Sequence, residues 1–276
     1  MRWQGRRAST NVIDKRRVGK KTIAGGGLGF VGLALVIGLL GGDPTPLLNE
    51  GLSRMIESSS YAEKLPQEEE DRLASFVSVV LAETENTWQK RFADSGSEYP
   101  LPEMVLFSGA VDSACGYANA AMGPFYCPND QRIYLDVNFF YDLENDHDAP
   151  GDFAQAYVIA HEVGHHVQNV LGVLELQSQA RSRSEANQLS IRTELMADCF
   201  AGIWAQDTQD LLEDNDIKEA LNAATQIGDD RLQKKSQGYV VPDSFTHGTG
   251  EQRYAWFQRG YNARTLKDCN SFKTDI

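Results

Sequence analysis

The stretch that decides the fold is His161-Glu162-Val163-Gly164-His165-His166. It contains the pattern H-E-x-x-H, and the residues around it have the apolar spacing of a buried helix. Residues four apart project from nearly the same helical face, so the imidazoles of His161 and His165 can converge on one metal ion with Glu162 beside it. The pattern therefore predicts a zinc hydrolase built around one central helix.

The predicted helix follows a break at Asp148-Ala149-Pro150-Gly151, and Asp152 is its candidate cap. Glycine inside a helix costs about 1 kcal/mol relative to alanine, so Gly164 predicts a close neighbour at that position. The apolar stripe of this helix comprises Phe153, Ala156, Tyr157, Ala160, Val163, Val167 and Val170.

Catalytic zinc needs a third protein ligand and one open position. The longer motif H-E-x-x-H-x-x-G-x-x-H is excluded, because the chain has Gln168 and Leu171 at the required positions. Glu194 lies 29 residues after His165, on a second predicted helix from 189 to 206. Asp198 lies four residues further on, so both carboxylates face the same way, one as ligand and one to accept the spare N–H of a ligand imidazole.

The charge of the chain is unevenly distributed. The first 21 residues carry a net charge of +7 and the remaining residues −20. An acidic body argues against nucleic acid as a partner. Residues 22–42 contain no charged side chain, and about 20 apolar residues span a bilayer core of roughly 30 Å. We therefore expect a transmembrane helix whose basic N-terminus stays in the cytoplasm; a cleavable signal peptide is the alternative.

The predicted organisation has four parts: a basic cytoplasmic segment (1–21), a transmembrane helix (22–42), a linker with a short helix (43–65) and a zinc metallopeptidase domain (66–276). The expected topology is single-pass, with the acidic catalytic domain outside the cytoplasm. The partners are then the lipid bilayer and a peptide or protein substrate. Glycine spacing in the span suggests a weak homodimer.

Four cysteines, an even number, fit an oxidising compartment. The expected pairs are Cys115 with Cys127, which flank a glycine-rich segment, and Cys199 with Cys269. Four free thiols are the alternative. A structural zinc site is not expected at these cysteines, because no C-x-x-C spacing is present.

Two short β-prone runs, 104–107 and 132–135, predict a small antiparallel sheet just before the zinc helix. Its edge either pairs with an extended peptide or belongs to a rigid hairpin packed on the core. The predicted fold class is α+β, zincin-like and mostly helical, with this sheet and one preceding transmembrane helix.

The chain resembles a gluzincin, and more closely the bacterial putative neutral zinc metallopeptidase family. The resemblance rests on the zinc motif, on E-x-x-x-D at Glu194 to Asp198, and on the basic N-terminus with its anchor. It also rests on three further runs, which are residues 123–128 (Gly-Pro-Phe-Tyr-Cys-Pro), 244–248 (Ser-Phe-Thr-His-Gly) and 251–253 (Glu-Gln-Arg). The resemblance implies a membrane-anchored zinc peptidase with one zinc ion. Its expected location is then the bacterial inner membrane, with the catalytic domain periplasmic or extracellular.

In that mechanism His161, His165 and Glu194 hold the zinc, and Glu162 is the general base for a zinc-activated water. Asp198 orients His161. His247 is the candidate donor to the developing oxyanion; its alternative is a capping or turn residue before a helix near 250. The rival function is a non-catalytic, zinc-stabilised, membrane-anchored binding or assembly factor, which the presence of Glu162 argues against.

Overall fold

Most of the chain that the computed structural model describes, residues 1–17 and 65–276, is helical. The sequence order of the elements decides which of them can reach the zinc motif. In the described residues the helices are α1 (Gln67–Asp94), α2 (Phe139–Asn145), α3 (Asp152–Val170), α4 (Arg183–Asp207), α5 (Asp216–Gln226), α6 (Asp229–Gln237) and α7 (Gly250–Tyr261). The strands are β1 (Val12–Asp14), β2 (Glu103–Phe107), β3 (Ala110–Ser113), β4 (Gly116–Asn119), β5 (Phe125–Cys127) and β6 (Arg132–Asp136).

Helix α3 forms the centre of the fold and carries the zinc motif. It is buried along most of its length and packs against α1, α4 and α5. The chain enters it through Gly151, whose φ of 113° is a backbone conformation that favours glycine. Asp152 is the first helical residue and makes no cap hydrogen bond, so the cap predicted there is wrong.

The helices that flank α3 begin with recognisable local signals. Helix α1 follows Pro66 and has Glu68, Glu69 and Glu70 in its first turn, where the helix dipole favours negative charge. The side chain of Ser182 caps α4 by accepting from the amide of Glu185. Thr249 and Gln252 form a reciprocal capping box at the start of α7. These signals fix where α4 and α7 begin, and both helices supply residues to the site.

The sheet is mixed, which corrects the prediction of an antiparallel one. Its strand order is β1-β2-β6-β5; the β1–β2 and β2–β6 pairs are parallel, and only β5–β6 is antiparallel. A separate antiparallel hairpin is formed by β3 and β4. Parallel neighbours need long crossover connections, and the one between β1 and β2 contains α1. Strand β5 is at the sheet edge and packs against α3.

The basic N-terminal residues belong to this fold. Strand β1 hydrogen-bonds to β2, and the flanking backbone adds a bond from the Lys15 amide to the Leu106 carbonyl. Ser9 and Asn11 donate to the buried carboxylate of Glu85 over 2.5 and 2.8 Å. The cationic side chains of this segment bind acidic residues of the helices: Arg6 binds Glu83 and Asp210, Arg7 binds Glu85, and Arg16 and Arg17 bind Asp71.

The predicted fold class is therefore wrong in its N-terminal transmembrane helix. In the described ranges, 1–17 and 65–276, no helix has both the length and the apolar character that a bilayer crossing requires. One crossing between residues 17 and 65 would also separate β1 from β2, which are hydrogen-bonded neighbours. The span predicted at 22–42, its helix–helix dimer contacts, and the short helix predicted in 43–65 lie outside the described residues, apart from residue 65 itself.

Both expected disulfides are formed. Cys115 in the β3–β4 turn is bonded to Cys127 at the end of β5, and Cys199 of α4 is bonded to Cys269 in a 3₁₀ turn near the C-terminus. The described residues contain no free cysteine. The second bond closes a 70-residue separation and ties α4, which carries the downstream carboxylates, to the end of the chain.

Candidate metal centre

The crossing of α3 and α4 creates the site. A β-carbon added at Gly164 would be 3.0 Å from the backbone oxygen of Ala197, so the two helices approach closely there, as the glycine predicts. This approach brings the face of α4 that carries Glu194 and Asp198 against the face of α3 that carries the histidines. The side chains of the two helices therefore meet because Gly164, which has no side chain, lets the helix backbones approach closely.

The three predicted ligands converge. Nε2 of His161 is 3.1 Å from one oxygen of Glu194, and Nε2 of His165 is 3.6 Å from the other. One donor atom from each of the three residues lies within 4.8 Å of the other two. Two imidazole nitrogens and one carboxylate oxygen, with room for a further ligand, are a donor set that catalytic zinc sites use.

The opposite nitrogen of each imidazole is held by a hydrogen-bond acceptor. Nδ1 of His161 is 2.7 Å from Oδ1 of Asp198, the contact expected for that aspartate. Nδ1 of His165 is 2.9 Å from Oε1 of Gln168, whose amide nitrogen donates to the Thr193 carbonyl over 2.6 Å. Both Nδ1 atoms are therefore placed to donate to an acceptor, so Nε2 is the nitrogen that each ring can offer to a metal beside Glu194.

Asp198 is part of a larger buried network that sequence reasoning did not find. The phenol of Tyr157 donates to Oδ1 over 2.5 Å, and the guanidinium of Arg253 donates to both carboxylate oxygens over 2.9 and 3.0 Å. Tyr157 was visible in the sequence only as an apolar-stripe residue. Arg253 was visible only as the last letter of the Glu-Gln-Arg run.

The charges of this region fit a divalent cation. Glu162, Glu194 and Asp198 are three carboxylates shielded from solvent, and Arg253 is the one guanidinium among them in the described residues. Three negative groups against one positive group leave a net charge of −2 when both imidazoles are neutral. A zinc ion at the three donors would neutralise that charge, so the residues present fit the metal.

The buried carboxylates also raise the pKa values of the two ligand histidines, which favours positive charge in this region. Burial alone would lower the pKa of His161, but Asp198 and Glu194 outweigh it and raise the pKa to about 10. The pKa of His165 is also raised, because Glu194 outweighs burial. Burial opposes ionisation of Asp198, yet Arg253 and His161 lower its pKa to about 2. Protonated imidazoles can thus balance part of the negative charge of the three carboxylates.

Glu162, the predicted base, is on α3 next to His161. Its side chain is buried, and burial raises its pKa while the charges of His165 and His161 oppose that shift. It is not one of the three converging donors. Its carboxylate is therefore free to accept a proton from a group bound beside the two imidazoles.

His247 is located in a turn that the carboxylate of Asp229 organises. Oδ2 of Asp229 accepts from the amides of Thr246, His247 and Gly248, and Oδ1 is 3.1 Å from Nδ1 of His247. The cap of α7 is Thr249, so His247 is a turn residue but not the cap. The side chain of His247 is half exposed, and the hydrogen bond to Asp229 raises its pKa, with the charge of Glu194 adding to the rise.

His166 faces away from the ligands, as its helical position predicts. It is fully buried between Tyr99 and Tyr126. Nε2 donates to the carbonyl of Pro100 over 2.7 Å, and the hydroxyl of Tyr126 is 3.0 Å from Nδ1. Asn169 also donates to that hydroxyl. His166 therefore packs the back of α3 against the end of the sheet.

Comparison with known proteins gives one family and several relatives. A family model described as "Putative neutral zinc metallopeptidase" matches residues 1–272. The "Uncharacterized protein YpfJ" of Escherichia coli (strain K12) is 47% identical over 293 aligned residues that cover 100% of both chains. The "Uncharacterized protein Rv2575" of Mycobacterium tuberculosis is 43% identical over 187 residues, covering 63% of each. No solved structure matches.

Proposed function

This chain belongs to the putative neutral zinc metallopeptidase family, and we propose that it hydrolyses peptide bonds with one zinc ion held by His161, His165 and Glu194. The observation that carries the proposal is the convergence of these three donors beside Glu162, which is buried and unused by the ligand set. A site that only stabilised the fold would need no carboxylate in that place.

The ligand residues set the chemistry. Zinc bound there would supply Lewis acidity, which lowers the pKa of water and polarises a substrate carbonyl. Asp198 and Gln168 keep the protons of His161 and His165 on Nδ1, so that both Nε2 atoms stay available. The tight crossing at Gly164 keeps Glu194 in reach of both imidazoles.

Glu162 moves the proton. Its carboxylate takes a proton from the attacking water as the carbonyl carbon is attacked, and then delivers that proton to the leaving amine. The one residue thus acts first as base and then as acid. Its position on a buried helix, next to the ligand residue His161, restricts how far its side chain can move relative to that ligand.

His247 is the donor to the oxyanion in this proposal. Asp229 fixes its ring through Nδ1 and favours the imidazolium form, in which Nε2 also carries a proton to donate. Developing negative charge on the carbonyl oxygen is stabilised by such a donor when it is already oriented. Three backbone amides donate to the Asp229 carboxylate and fix its position, so that it can orient the His247 ring.

We also propose that the protein works in an oxidising compartment outside the cytoplasm. The support is that all four cysteines are paired in two disulfides, a state that cytosolic reductants oppose. The substrate in this proposal is a peptide or protein present in that compartment.

The test compares wild-type protein with Glu162→Gln, using zinc analysis and cleavage of a peptide library. We expect Glu162→Gln to keep its zinc and to lose about 100- to 10,000-fold in kcat/KM, the usual contribution of general acid–base catalysis. Glu175→Gln, an exposed glutamate in the turn after α3, is the matched control and should cleave like wild type. Equal cleavage by the Glu162→Gln variant would overturn the mechanism. A zinc-loaded wild type that cleaves nothing would favour an assembly factor.

A further inference from the structure

Arg253, in the first turn of α7, is a buried guanidinium with only 3% of its surface exposed. Its Nε and Nη2 donate to the two oxygens of Asp198 on α4. Nη2 is also 3.1 Å from the hydroxyl of Tyr157 on α3, and Nη1 donates to the carbonyl of Ile227 over 3.2 Å. One side chain therefore joins α7 to α3, to α4 and to the turn between α5 and α6.

These contacts determine the orientation of the Asp198 carboxylate. A guanidinium that binds both oxygens of a carboxylate fixes its plane as well as its position, which a single hydrogen bond does not do. With that plane fixed, Oδ1 faces both the Tyr157 hydroxyl and Nδ1 of His161. The ring of His161, held through Nδ1, has its Nε2 directed at Glu194.

Arg253 also supplies a countercharge that the metal ligands do not provide. Asp198 is completely buried, and in the described residues its charged partners are His161 and Arg253. A ligand imidazole is neutral when a metal occupies its Nε2, so Arg253 is then the cation in contact with Asp198. A buried carboxylate without a paired cation is strongly unfavourable, so the pair is needed most when the metal is bound.

We propose that Arg253, together with Tyr157, is a positioning residue that sets the zinc affinity of the site by holding Asp198 against His161. This positioning role rests on the proposed function only in taking His161 as a zinc ligand. Neither residue needs to touch the substrate. Helix α7 thereby controls a metal site whose three ligands are all on α3 and α4.

The experiment measures zinc affinity of the full chain by competition with a chromophoric chelator, for wild type, Arg253→Gln, Arg253→Lys and Tyr157→Phe. We expect Arg253→Gln to bind zinc about 10- to 100-fold more weakly, the usual effect of losing a residue that orients a ligand. Lysine keeps the charge but cannot bind both oxygens, so R253K should recover only part of the loss. The control is Arg259→Gln, on the exposed face of the same helix, which should bind zinc like wild type.

A second readout separates positioning from general destabilisation. In wild type we expect a downfield NMR signal from the Nδ1 proton of His161, because it is shared with a carboxylate. Arg253→Gln should shift or broaden that signal and leave the Nδ1 signal of His165, which faces Gln168, in place. If Arg253→Gln fails to fold, as judged by circular dichroism of the metal-free protein, Arg253→Lys and Tyr157→Phe decide the question by the same two measurements.

The outcomes distinguish this inference from the proposed function. Unchanged zinc affinity in the folded Arg253 and Tyr157 variants would overturn the positioning role, even if the wild type is an active peptidase. Weaker zinc binding in those variants would support the role, even if the wild type cleaves no peptide. Equal loss of the His161 and His165 signals would show a general collapse of the site and would also overturn it.

Discussion

At the scale of single residues, the two histidine ligands differ in what holds them. His161 is held by a carboxylate that a guanidinium compensates, and His165 is held by a neutral amide. A carboxylate partner makes an imidazole a stronger base than an amide does. The consequence is that a proton competes with zinc most strongly at His161, where the metal-free pKa is about 10.

This competition predicts a pH dependence of zinc binding. Below its raised pKa, His161 must release a proton to bind zinc, so affinity should rise about tenfold per pH unit, and more steeply if His165 also releases one. The rise should continue above pH 7, whereas histidines with an ordinary pKa near 6.5 would give a plateau there. Chelator competition from pH 6.5 to 8.5, and calorimetry in two buffers to count protons, would measure it. A flat affinity above pH 7 would contradict it.

The raised pKa of His161 makes the stability of the metal-free fold change with pH in the opposite direction to zinc affinity. A histidine whose folded pKa is raised contributes stability that is fully present below its unfolded pKa, near 6.5. That contribution is lost as the pH rises toward the folded pKa of His161, about 10. Metal-free protein should therefore lose stability between these values, over the range in which zinc binds more tightly.

Sequence spacing could predict some of these residues and not others. Helical periodicity relates His161 to His165 and Glu194 to Asp198, because both members of each pair are on one helix. Arg253 reaches Asp198 only after α7 has packed on α4, 55 residues along the chain. Gln168 was considered only because it excludes the longer zinc motif. That motif does not describe the contact of its amide oxygen with Nδ1 of His165.

At the scale of elements, the packing of α4 against α7 depends on two glycines. A β-carbon at Gly202 would be 2.1 Å from the carbonyl oxygen of Phe257, and one at Gly260 would be 1.8 Å from that of Cys199. Real β-carbons do not approach backbone oxygens so closely. The two helices therefore touch through their backbones, and this contact brings Arg253 to Asp198.

Gly202→Ala should consequently destabilise the protein by about 1–3 kcal/mol, the usual cost of overpacking a core. Alanine is the better helix former by about 1 kcal/mol, so the sign of the measured change shows which effect dominates. Urea unfolding would measure it, with Ala255→Gly on the exposed face of α7 as a control that reports helix propensity alone. Zinc affinity should fall with Gly202→Ala, because α7 is displaced from α4. A variant more stable than wild type would exclude the close packing.

Helices α3 and α4 were predictable as elements because their apolar spacing is local, whereas α5 and α6 were not predicted. The sheet was predictable only in part. The runs at 104–107 and 132–135 are the strands β2 and β6, but they pair in parallel. Parallel pairing depends on the path of the chain between the strands, which residue alternation does not record. Strand β1 comprises only Val12–Asp14 and is surrounded by charged residues, so no strand was expected there.

At the scale of the whole molecule, the uneven charge of the chain has a structural explanation. A basic start before an apolar run is typical of a membrane topology signal, and that pattern produced the prediction of an anchor. In the described part of this segment, four arginines bind acidic residues of α1: Arg6, Arg7, Arg16 and Arg17. Arg6 also binds Asp210 after α4. Cations of the N-terminal segment are thus paired with carboxylates of the same folded body, so charge asymmetry alone could not decide between the two interpretations.

The docking of the N-terminal segment depends on Glu85, which is 2% exposed and accepts from Ser9, Asn11 and Arg7. Glu85→Ala removes the acceptor of the Ser9 hydroxyl and the Asn11 amide, whereas Arg7 keeps its bonds to Ala82 and Asn86. We expect a loss of about 1–3 kcal/mol in unfolding free energy. The Lys15 amide, bonded to Leu106 beyond the end of β1, should then exchange with deuterium faster than in wild type. Glu144→Ala, at an exposed position of α2, is the control and should change neither quantity. Zinc affinity should stay at the wild-type value, because these hydrogen bonds of Glu85 join it to the N-terminal segment and not to α3 or α4. Unchanged Lys15 exchange in Glu85→Ala would show that the N-terminus is held by other contacts.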